Sequence, residues 1–532
     1  VDDLLIRGAE VIDGTGAAGR RLDVAVRDGR ISAVGAASRP ARRVIEAPGA
    51  VLAPGFIDIH THSDFTLPLN PRAESKVRQG VTTEVLGNCG FSVAPALEGR
   101  VELLRTYLAA SAPWLSFEPI TFARYLDAFP ATSVNTIMQA GHNTLRLMTT
   151  GMESRTPRAD ELTRMERLLD EALEAGALGL SSGLFTAPGS YAESEELLAL
   201  GRVLRRHGAG YASHVRNEAG RVFEAVDEAI GLGETCGIHV QIAHLKLSGT
   251  DNWGRASALL ARLDTARRRG VRVDADQYPY TTASNPLRNL LPLWVQDGGL
   301  DAMVDRLRDP GVRDRIRADI AAHGSGSFGR LPSWDAVRIS ISPKQASSAG
   351  RTIGELARSR AGDPLDVACD VLIADEGHTR VLLTSMSEED VREILRAPTV
   401  LIGSDGTALA PYGVTGQGKP HPRFYGTFVR VLGHYVRELQ LLSLPAAIHK
   451  MTGGAAAALG LVERGLIREG YWADLALFDP RAVAEASTYD EPHQYAIGVA
   501  AVIVNGVVVV DNGTHTGALP GKVLRRGSRG VA

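Results

Sequence analysis

Cysteine is scarce in this sequence: three residues in 532, Cys89, Cys236 and Cys369, odd in number and far apart. That excludes a disulfide framework, agrees with a reducing compartment and leaves at least one thiol free for chemistry. An excess of charge of either sign is also missing. Lys and Arg total 58 against 61 Asp and Glu, a net charge of −3, so the electrostatic balance does not recommend nucleic acid or an acidic membrane surface as a partner. A small molecule is the expected partner, and the oligomeric state is not readable. The start of the chain, VDDLLIRGAEVIDGTG, lacks a long apolar run and carries two acids at once, so it reads neither as a signal peptide nor as a membrane span. The expected location is cytoplasmic. Internal repeats and long low-complexity tracts are lacking too.

Apolar residues, at 44%, suffice for at least one large core, and 532 residues exceed what one compact domain usually holds. Residues 2 to about 52 read as short strands between Gly-containing turns, in DLLIRGAEVIDG, RRLDVAVRDGRISAVG and RRVIEAPGAVLAPG. WADLALFDP, VAAVIVNGVVVVDNG and the basic tail after Pro520 have the same style. The two ends are therefore expected to pair into one discontinuous β-domain, 1–54 with 463–532, as a small sandwich or barrel. Between them, eight strand-like runs are mostly followed by helical patterns: FIDIH, TTEVLGN, VNTIMQAGH, LGLSSG, GYASHV, HVQIAHLK, VRVDADQYPY and TVLIGSDG. One helix is expected to be capped by Thr156, with Pro157 in its first turn, Leu162, Met165, Leu169 and Leu173 as its apolar stripe and Gly176 at its end. Such alternation implies a parallel sheet in an α/β chain. Eight repeats imply a closed (β/α)8 TIM-like barrel over 55–462, with its active site at the strands' C-terminal ends. The stretch from about 286 to 398 is too long for a loop and is expected to hold an inserted helical subdomain or lid, with GSGSFG as a mobile piece.

The chemistry-bearing residues fall where those strands end. In FIDIHTHSD, strand alternation puts His60 and His62 on one face, where they can converge on one ion. Asp58 shares that parity and could bind metal or buttress a ligand. Cys89 after TTEVLGN, His214 in YASHVRNE, His244 in QIAHLKLS and Asp405 in LIGSDG occupy the equivalent place on other strands. Each alone has an ordinary reading, a buried apolar thiol or an Asp before a turn glycine. Their repetition carries the argument, because a set of N, S and O donors suits Zn²⁺ better than Mg²⁺ or Ca²⁺. Cys236 and Cys369 lack that placement and read as structural.

The strings APGFIDIHTHSD, GNCGFS, SHVRNE, AHLKLS and IGSDG, in this order, resemble the amidohydrolase superfamily, and the Cys of GNCG is similar to that of its N-acyl-D-amino-acid deacylase (D-aminoacylase) branch. The resemblance runs through essentially the whole chain, including ADLALFDP. Many relatives bridge two metals with a carboxylated Lys from the fourth strand, whereas LGLSSG has none; the branch supplies a Cys instead, which Cys89 matches. The resemblance implies one tightly bound Zn²⁺ on Cys89, His214 and His244 and a second, weaker site at His60 and His62 that Cys89 can bridge. It also implies a small-molecule N-acyl-D-amino acid as substrate, and the preference for D over L rests on it alone.

Zn²⁺ can bring a bound water's pKa to ~7 and polarise a carbonyl, both of which suit amide hydrolysis. Asp405 would take the water's proton and pass it to the departing nitrogen, with pure metal ligation as its other reading. Lys246, two residues beyond His244, is expected to face the same mouth and bind a substrate carboxylate. In the family pattern it acts with tyrosines, for which Tyr191 and Tyr280 are the matching positions and Tyr278 the alternative. His142, Asn143 and Arg216 lie just beyond strand ends and can shape the pocket; Arg288 and Met386 are expected to influence side-chain choice, Arg288 by reading an acidic group. The leading expectation is a deacylase for N-acyl-D-amino acids with apolar side chains. A cyclic amidase of the hydantoinase or dihydroorotase kind, a dipeptidase acting on a blocked D-residue, and a catalytically silent scaffold protein are the alternatives.

Overall fold

Eight short, largely buried strands lie in parallel order in the computed structural model, which describes residues 1–36, 39–109, 111–112 and 114–527. They are β1 (Phe56–Asp58), β2 (Val81–Leu86), β3 (Asn135–Met138), β4 (Gly179–Gly183), β5 (Gly210–His214), β6 (Val240–Ile242), β7 (Val273–Gln277) and β8 (Val400–Ile402). Each matches one of the eight runs, β2 starting one residue ahead of TTEVLGN, at Val81. β1, β2 and β3 pair in sequence. The chain resumes the ladder past Gln139 as Ala140–Gly141, which pairs with β4, and β4 to β8 follow in order. A parallel bridge between Thr61 and Gly406 ties the chain beyond β1 to the chain beyond β8. Helices Ala159–Glu174, Ser194–His207, Val222–Cys236 and Ala256–Arg268 separate β3 through β7, as parallel pairing requires of its crossovers. The architecture is α/β, of TIM-barrel type, with an additional β-domain.

The helix expected to start at Thr156 begins three residues later, at Ala159. Glu161 sets that start. Its carboxylate accepts from the Arg158 N–H at 2.8 Å and from both Arg155 guanidinium nitrogens at 2.7 and 2.8 Å. Thr156 and Pro157 therefore lie in the approach to the helix, and its buried stripe is Met165, Leu168, Leu169, Ala172 and Leu173.

Both chain ends meet in a nine-stranded sheet. Its central junction is antiparallel pairing of Val51–Pro54 with Leu475–Phe478, and one apolar cluster draws on Leu4, Ile6, Val24, Leu475 and Ile503 together. The terminal tail departs from that pattern: Val523–Leu524 pairs parallel with Thr136 and Ile137 of β3, beside the barrel strands. Residues 528–532 of the expected terminal segment lie outside the described residues.

Between β7 and β8 the insertion has its own apolar cluster, running from Leu287 to Leu383. It is not purely helical. Helices such as Pro310–His323 and Pro364–Ala374 pack with a three-stranded antiparallel sheet of Thr282–Pro286, Arg380–Thr384 and Val337–Ile341, which brings Arg288 and Arg380 over the barrel's active end. Among the described residues no helix is long and apolar enough to cross a membrane.

Candidate metal centre and active-site cavity

All six expected ligand side chains converge where β1, β2, β5, β6 and β8 end. The donor atoms of His60, His62, Cys89 and Asp405 lie within 4.8 Å of one another, as do those of Cys89, His214 and His244. Cys89 belongs to both groups and sits between them, with its Sγ 3.2 Å from His60 Nε2 and 3.4 Å from His244 Nε2. Asp405 Oδ1 is 3.1 Å from His62 Nε2 and 3.7 Å from His60 Nε2. Donors of one tetrahedral zinc shell stand about 3.3–3.7 Å apart, given bonds of about 2.0–2.3 Å. The donors here are already spaced for a cation, and both ring nitrogens of buried His214 lack a hydrogen-bond partner. His214 Nε2 stands 3.3 Å from Glu218 Oε1 without hydrogen-bonding it, and spacing together with the mixed N, S and O donors fits zinc.

Backbone strain supports the same reading. Cys89, His244 and Asp405 have φ of 54°, 34° and 47°, in the left-handed region that side chains with a Cβ rarely adopt. Three such residues in one cluster mark a site held in place by its surroundings. Gly90 shows how: a Cβ there would overlap Asn143 Oδ1 and the Gly183 N–H, so only glycine lets the Cys89 turn seat against β4.

Carboxylates behind the histidines fix their orientation. Asp276 Oδ1 is 3.1 Å from His60 Nδ1, which turns Nε2 toward Cys89. Glu218 Oε1 is 3.2 Å from His244 Nδ1, with the same consequence. This pairing of a ligand ring with a buried carboxylate is a usual support of metal sites. Asp58 is also a buttress: it accepts from Lys76 Nζ at 2.8 Å and from the Ser404 N–H and hydroxyl at 2.9 and 2.6 Å, and stays outside both donor groups.

The electrostatics follow from these contacts. Burial alone would raise the Cys89 thiol, but His60 and His244 hold it well below its ordinary value. Burial likewise opposes ionisation of Asp405, yet the Arg423 guanidinium and His62 hold its carboxyl well below the usual range. Thiolate and carboxylate are thus the favoured forms, as metal ligation and proton acceptance require.

A cavity of about 360 Å³ opens onto this cluster, with His62, Cys89, His214, His244 and Asp405 in its floor. Of the expected substrate contacts, Arg288 lines it. Lys246 does not: its ammonium is drawn back onto Glu218 Oε1 and His244 Nδ1, each at 2.8 Å. Tyr280 turns its hydroxyl to Glu485 at 2.6 Å, while Tyr278 stands beside His244 and under Lys246 and Arg423. Tyr191 and Met386 are also outside the lining; Met386 is 4% exposed in the main core, and the Tyr191 hydroxyl is buried without a partner. His142 bonds Glu196 at 2.7 Å, Asn143 brackets Gly183 and reaches the Tyr107 hydroxyl, and Arg216 clamps Glu228 and the carbonyls of Ser190 and Ala192. None of these three is among the residues that line the cavity. Cys236 and Cys369 are buried away from the cluster.

Four residues that matter here have no place in the sequence reading. Arg423 and Arg380 line the cavity, and Asp276 and Glu218 orient ligands. Asp276 had a signal, since it stands in the VDADQ strand, one residue before its end. Arg423 had none, because it opens the helix Arg423–Arg430 well beyond β8.

The amidohydrolase family matches residues 43–510. An N-acyl-D-aspartate deacylase of Alcaligenes xylosoxydans xylosoxydans is 40% identical over 99% of this chain and 95% of its own. The crystal structure of N-acyl-D-glutamate deacylase from Bordetella bronchiseptica, complexed with zinc and a phosphonate mimic of the tetrahedral intermediate, is 35% identical. It covers 99% of this chain and 100% of its own, with a TM-score of 0.82. A D-aminoacylase structure, described for a binuclear centre with one-metal activation and second-metal attenuation, gives 35% identity, the same coverages and a TM-score of 0.83. With a metal-ready cluster at the barrel strands' ends and a match over most of its length, the chain belongs to the amidohydrolase family.

Proposed function

We propose that this protein is a zinc-dependent deacylase that hydrolyses the amide bond of N-acyl-D-amino acids, releasing a carboxylate and a free D-amino acid. The observation that carries the reading is Cys89 shared between His60, His62 and Asp405 on one side and His214 and His244 on the other, in a chain whose relatives act on such substrates. We also read the ring of pairings as a closed (β/α)8 barrel, with a β-domain of 1–54 and 463–532 and an inserted subdomain of about 286–398. Cys89, His214 and His244 would hold a tight Zn²⁺, and His60, His62 and Asp405 a weaker second site. When bound, zinc supplies Lewis-acid chemistry, acidifying water toward neutrality and polarising an amide carbonyl.

Asp405 does the proton work. Its ionised carboxylate accepts a proton from water and returns it to the nitrogen as the C–N bond breaks. General acid–base catalysis contributes roughly 10²–10⁴-fold. Asp405→Asn is therefore expected to lose about 10²–10⁴-fold in kcat while keeping Cys89-bound zinc, checked by steady-state rates beside metal analysis; an unchanged rate removes Asp405 from this role. Placement in the cytoplasm and the absence of nucleic-acid or membrane partners belong to the same proposal.

One observation favours a second reading of side-chain choice, in which acidic substrates replace the apolar ones expected from sequence. Arg288 and Arg380 line the cavity, and their hydrogen bonds go to neutral acceptors: the Gly377 carbonyl for Arg288, and the Ser111 and Ser284 hydroxyls for Arg380. Among the described residues neither has an ion-pair partner. Burial, with Arg423 and Arg288 nearby, pulls Arg380 down to about 10. A carboxylate on the substrate side chain would relieve that unmatched charge.

A further inference from the structure

The geometry points to a bulky apolar acyl group, longer than acetyl, as the acyl half of the substrate, received by an aromatic lobe of the active-site cavity built from Phe65, Phe91, Trp114, Leu409 and Phe424. This inference rests on the reading of the protein as an N-acyl-D-amino-acid deacylase. The chain is poor in aromatic residues, at 5%, with twelve phenylalanines and five tryptophans. Four of those phenylalanines, Phe65, Phe91, Phe185 and Phe424, nevertheless line this one cavity together with Trp114. A second cavity, of about 480 Å³, lies at the opposite end of the barrel beside Gly179, Gly210 and Val273, the first residues of β4, β5 and β7. Its lining has neither phenylalanine nor tryptophan among the described residues, so closing a barrel end does not by itself call for aromatic rings.

The lobe is held by the barrel's own loops. Phe65 stacks on the His62 ring at 11° with centroids 6.1 Å apart, and Phe91 meets the same ring edge-on at 6.0 Å. Trp114 Nε1 donates to the Phe65 carbonyl at 2.8 Å, which satisfies its polar atom and leaves the rest of the ring for apolar contact. The loop after β8 is fastened to the loop after β1: the Ala408 N–H donates to Ser63 Oγ and the Leu409 N–H to Ser75 Oγ, each at 2.9 Å. The Phe424 ring lies against Gly406, where an added Cβ would come within 3.0 Å of it. Apolar surface is thus fixed beside His62 and Asp405, where the scissile carbonyl must come.

Charge decides which half of the substrate this lobe receives. The amine half always carries an α-carboxylate, and burying a carboxylate among aromatic rings without a cation is costly. The arginines of the lining are Arg288, Arg380 and Arg423. Arg423 is already paired with Asp405 at 2.8 Å, which leaves Arg288 and Arg380, both from the segment inserted between β7 and β8. None of the five residues of the aromatic lobe belongs to that insertion. The amino-acid half accordingly lies under the insertion, and the acyl half faces the lobe contributed by the barrel loops. An acetyl methyl covers little of that surface, whereas a longer or aromatic acyl group covers more of it and displaces its water.

The test compares kcat/KM of the zinc-loaded protein for N-acetyl, N-butyryl, N-hexanoyl and N-phenylacetyl derivatives of D-aspartate and of D-leucine. A gain of about fourfold per methylene is expected up to butyryl, with the hexanoyl and phenylacetyl compounds at least about tenfold above acetyl in both amino-acid series; the ratio of these two tells a chain from a ring. Phe91→Ala and Trp114→Ala are each expected to shrink the hexanoyl-to-acetyl ratio by about fivefold or more, leaving the aspartate-to-leucine ratio within about twofold. Acetyl compounds as good as hexanoyl ones, or variants that change the amino-acid ratio and not the acyl ratio, would overturn the inference. If an alanine variant does not fold, Phe91→Leu and Trp114→Leu take its place. Calorimetric binding of acetate, hexanoate and phenylacetate to the same proteins needs no turnover and separates the two readings. If no N-acyl-D-amino acid is hydrolysed, the deacylase reading fails; tighter hexanoate or phenylacetate binding that Phe91→Ala abolishes then still supports the apolar lobe, and equal binding of all three refutes it.

Discussion

Cys89 is the residue on which both donor groups depend, because its sulfur is the atom they share. Cys89→Ala is expected to lose tightly bound zinc and with it all activity, as read by metal analysis after dialysis. Asp276→Asn weakens the support behind His60, and alters a carboxylate that also accepts from the His244 N–H at 2.9 Å; it is expected to weaken zinc binding, most at the His60 side, by roughly 10–100-fold. Equal effects from the two changes would show that Cys89 does not bridge. This level was well exposed in the sequence for the ligands, since each stands at a strand end and alternation fixes its face. It was poorly exposed for the groups that orient them. Glu218 stands four residues after His214 in a string quoted for other reasons, and its contact with His244 and Lys246 depends on two strands meeting. For the same reason the sequence could not show that Lys246 pairs with Glu218: that carboxylate comes from another strand's loop.

Among elements, the helix Ala159–Glu174 shows how one side chain sets a boundary. The Arg155 guanidinium holds the Glu161 carboxyl down at about 2, below its ordinary value in the unfolded chain. Between those values the unfolded chain binds a proton that the folded one does not. The contact therefore stabilises fully above about pH 4.5, and its contribution is lost as pH falls through that range toward 2. Glu161→Ala is expected to lower the apparent Tm by about 1–2 °C at pH 7, with the deficit shrinking as the pH approaches 3. A deficit independent of pH would mean that packing, not the carboxylate, sets the helix start. The eight strands were legible from their apolar runs and turn signals. The three-stranded sheet of the insertion was not, because Thr282–Pro286, Val337–Ile341 and Arg380–Thr384 are distant in sequence and only their pairing reveals a sheet.

For the whole molecule, the metal cluster ties β1, β2, β5, β6 and β8 together through their ends, so a cation bound there links distant parts of the chain. Zinc that binds the folded form alone stabilises it by about 2.7 kcal/mol at a hundredfold excess over Kd. Chelation is accordingly expected to lower the apparent Tm, and re-addition of zinc to restore it; identical melting with and without chelator would argue against a preformed site. The pairing of the two chain ends was readable from their shared strand style, whereas the return of Val523–Leu524 to β3 was not, since two residues carry no periodicity. The cavity's cationic lining also emerges only at this scale, as Arg288 and Arg380 come from the insertion and Arg423 from the start of a helix beyond β8.

The deciding measurement is amine release from paired N-acetyl-D- and N-acetyl-L-amino acids, spanning aspartate, glutamate, leucine and methionine, with zinc-loaded protein beside a chelator-treated control. Zinc-dependent hydrolysis confined to the D-series is the expected result, and the ratio of acidic to apolar turnover assigns the side-chain preference. No hydrolysis of either series by protein of confirmed zinc content would contradict the deacylase assignment and turn attention to cyclic amides.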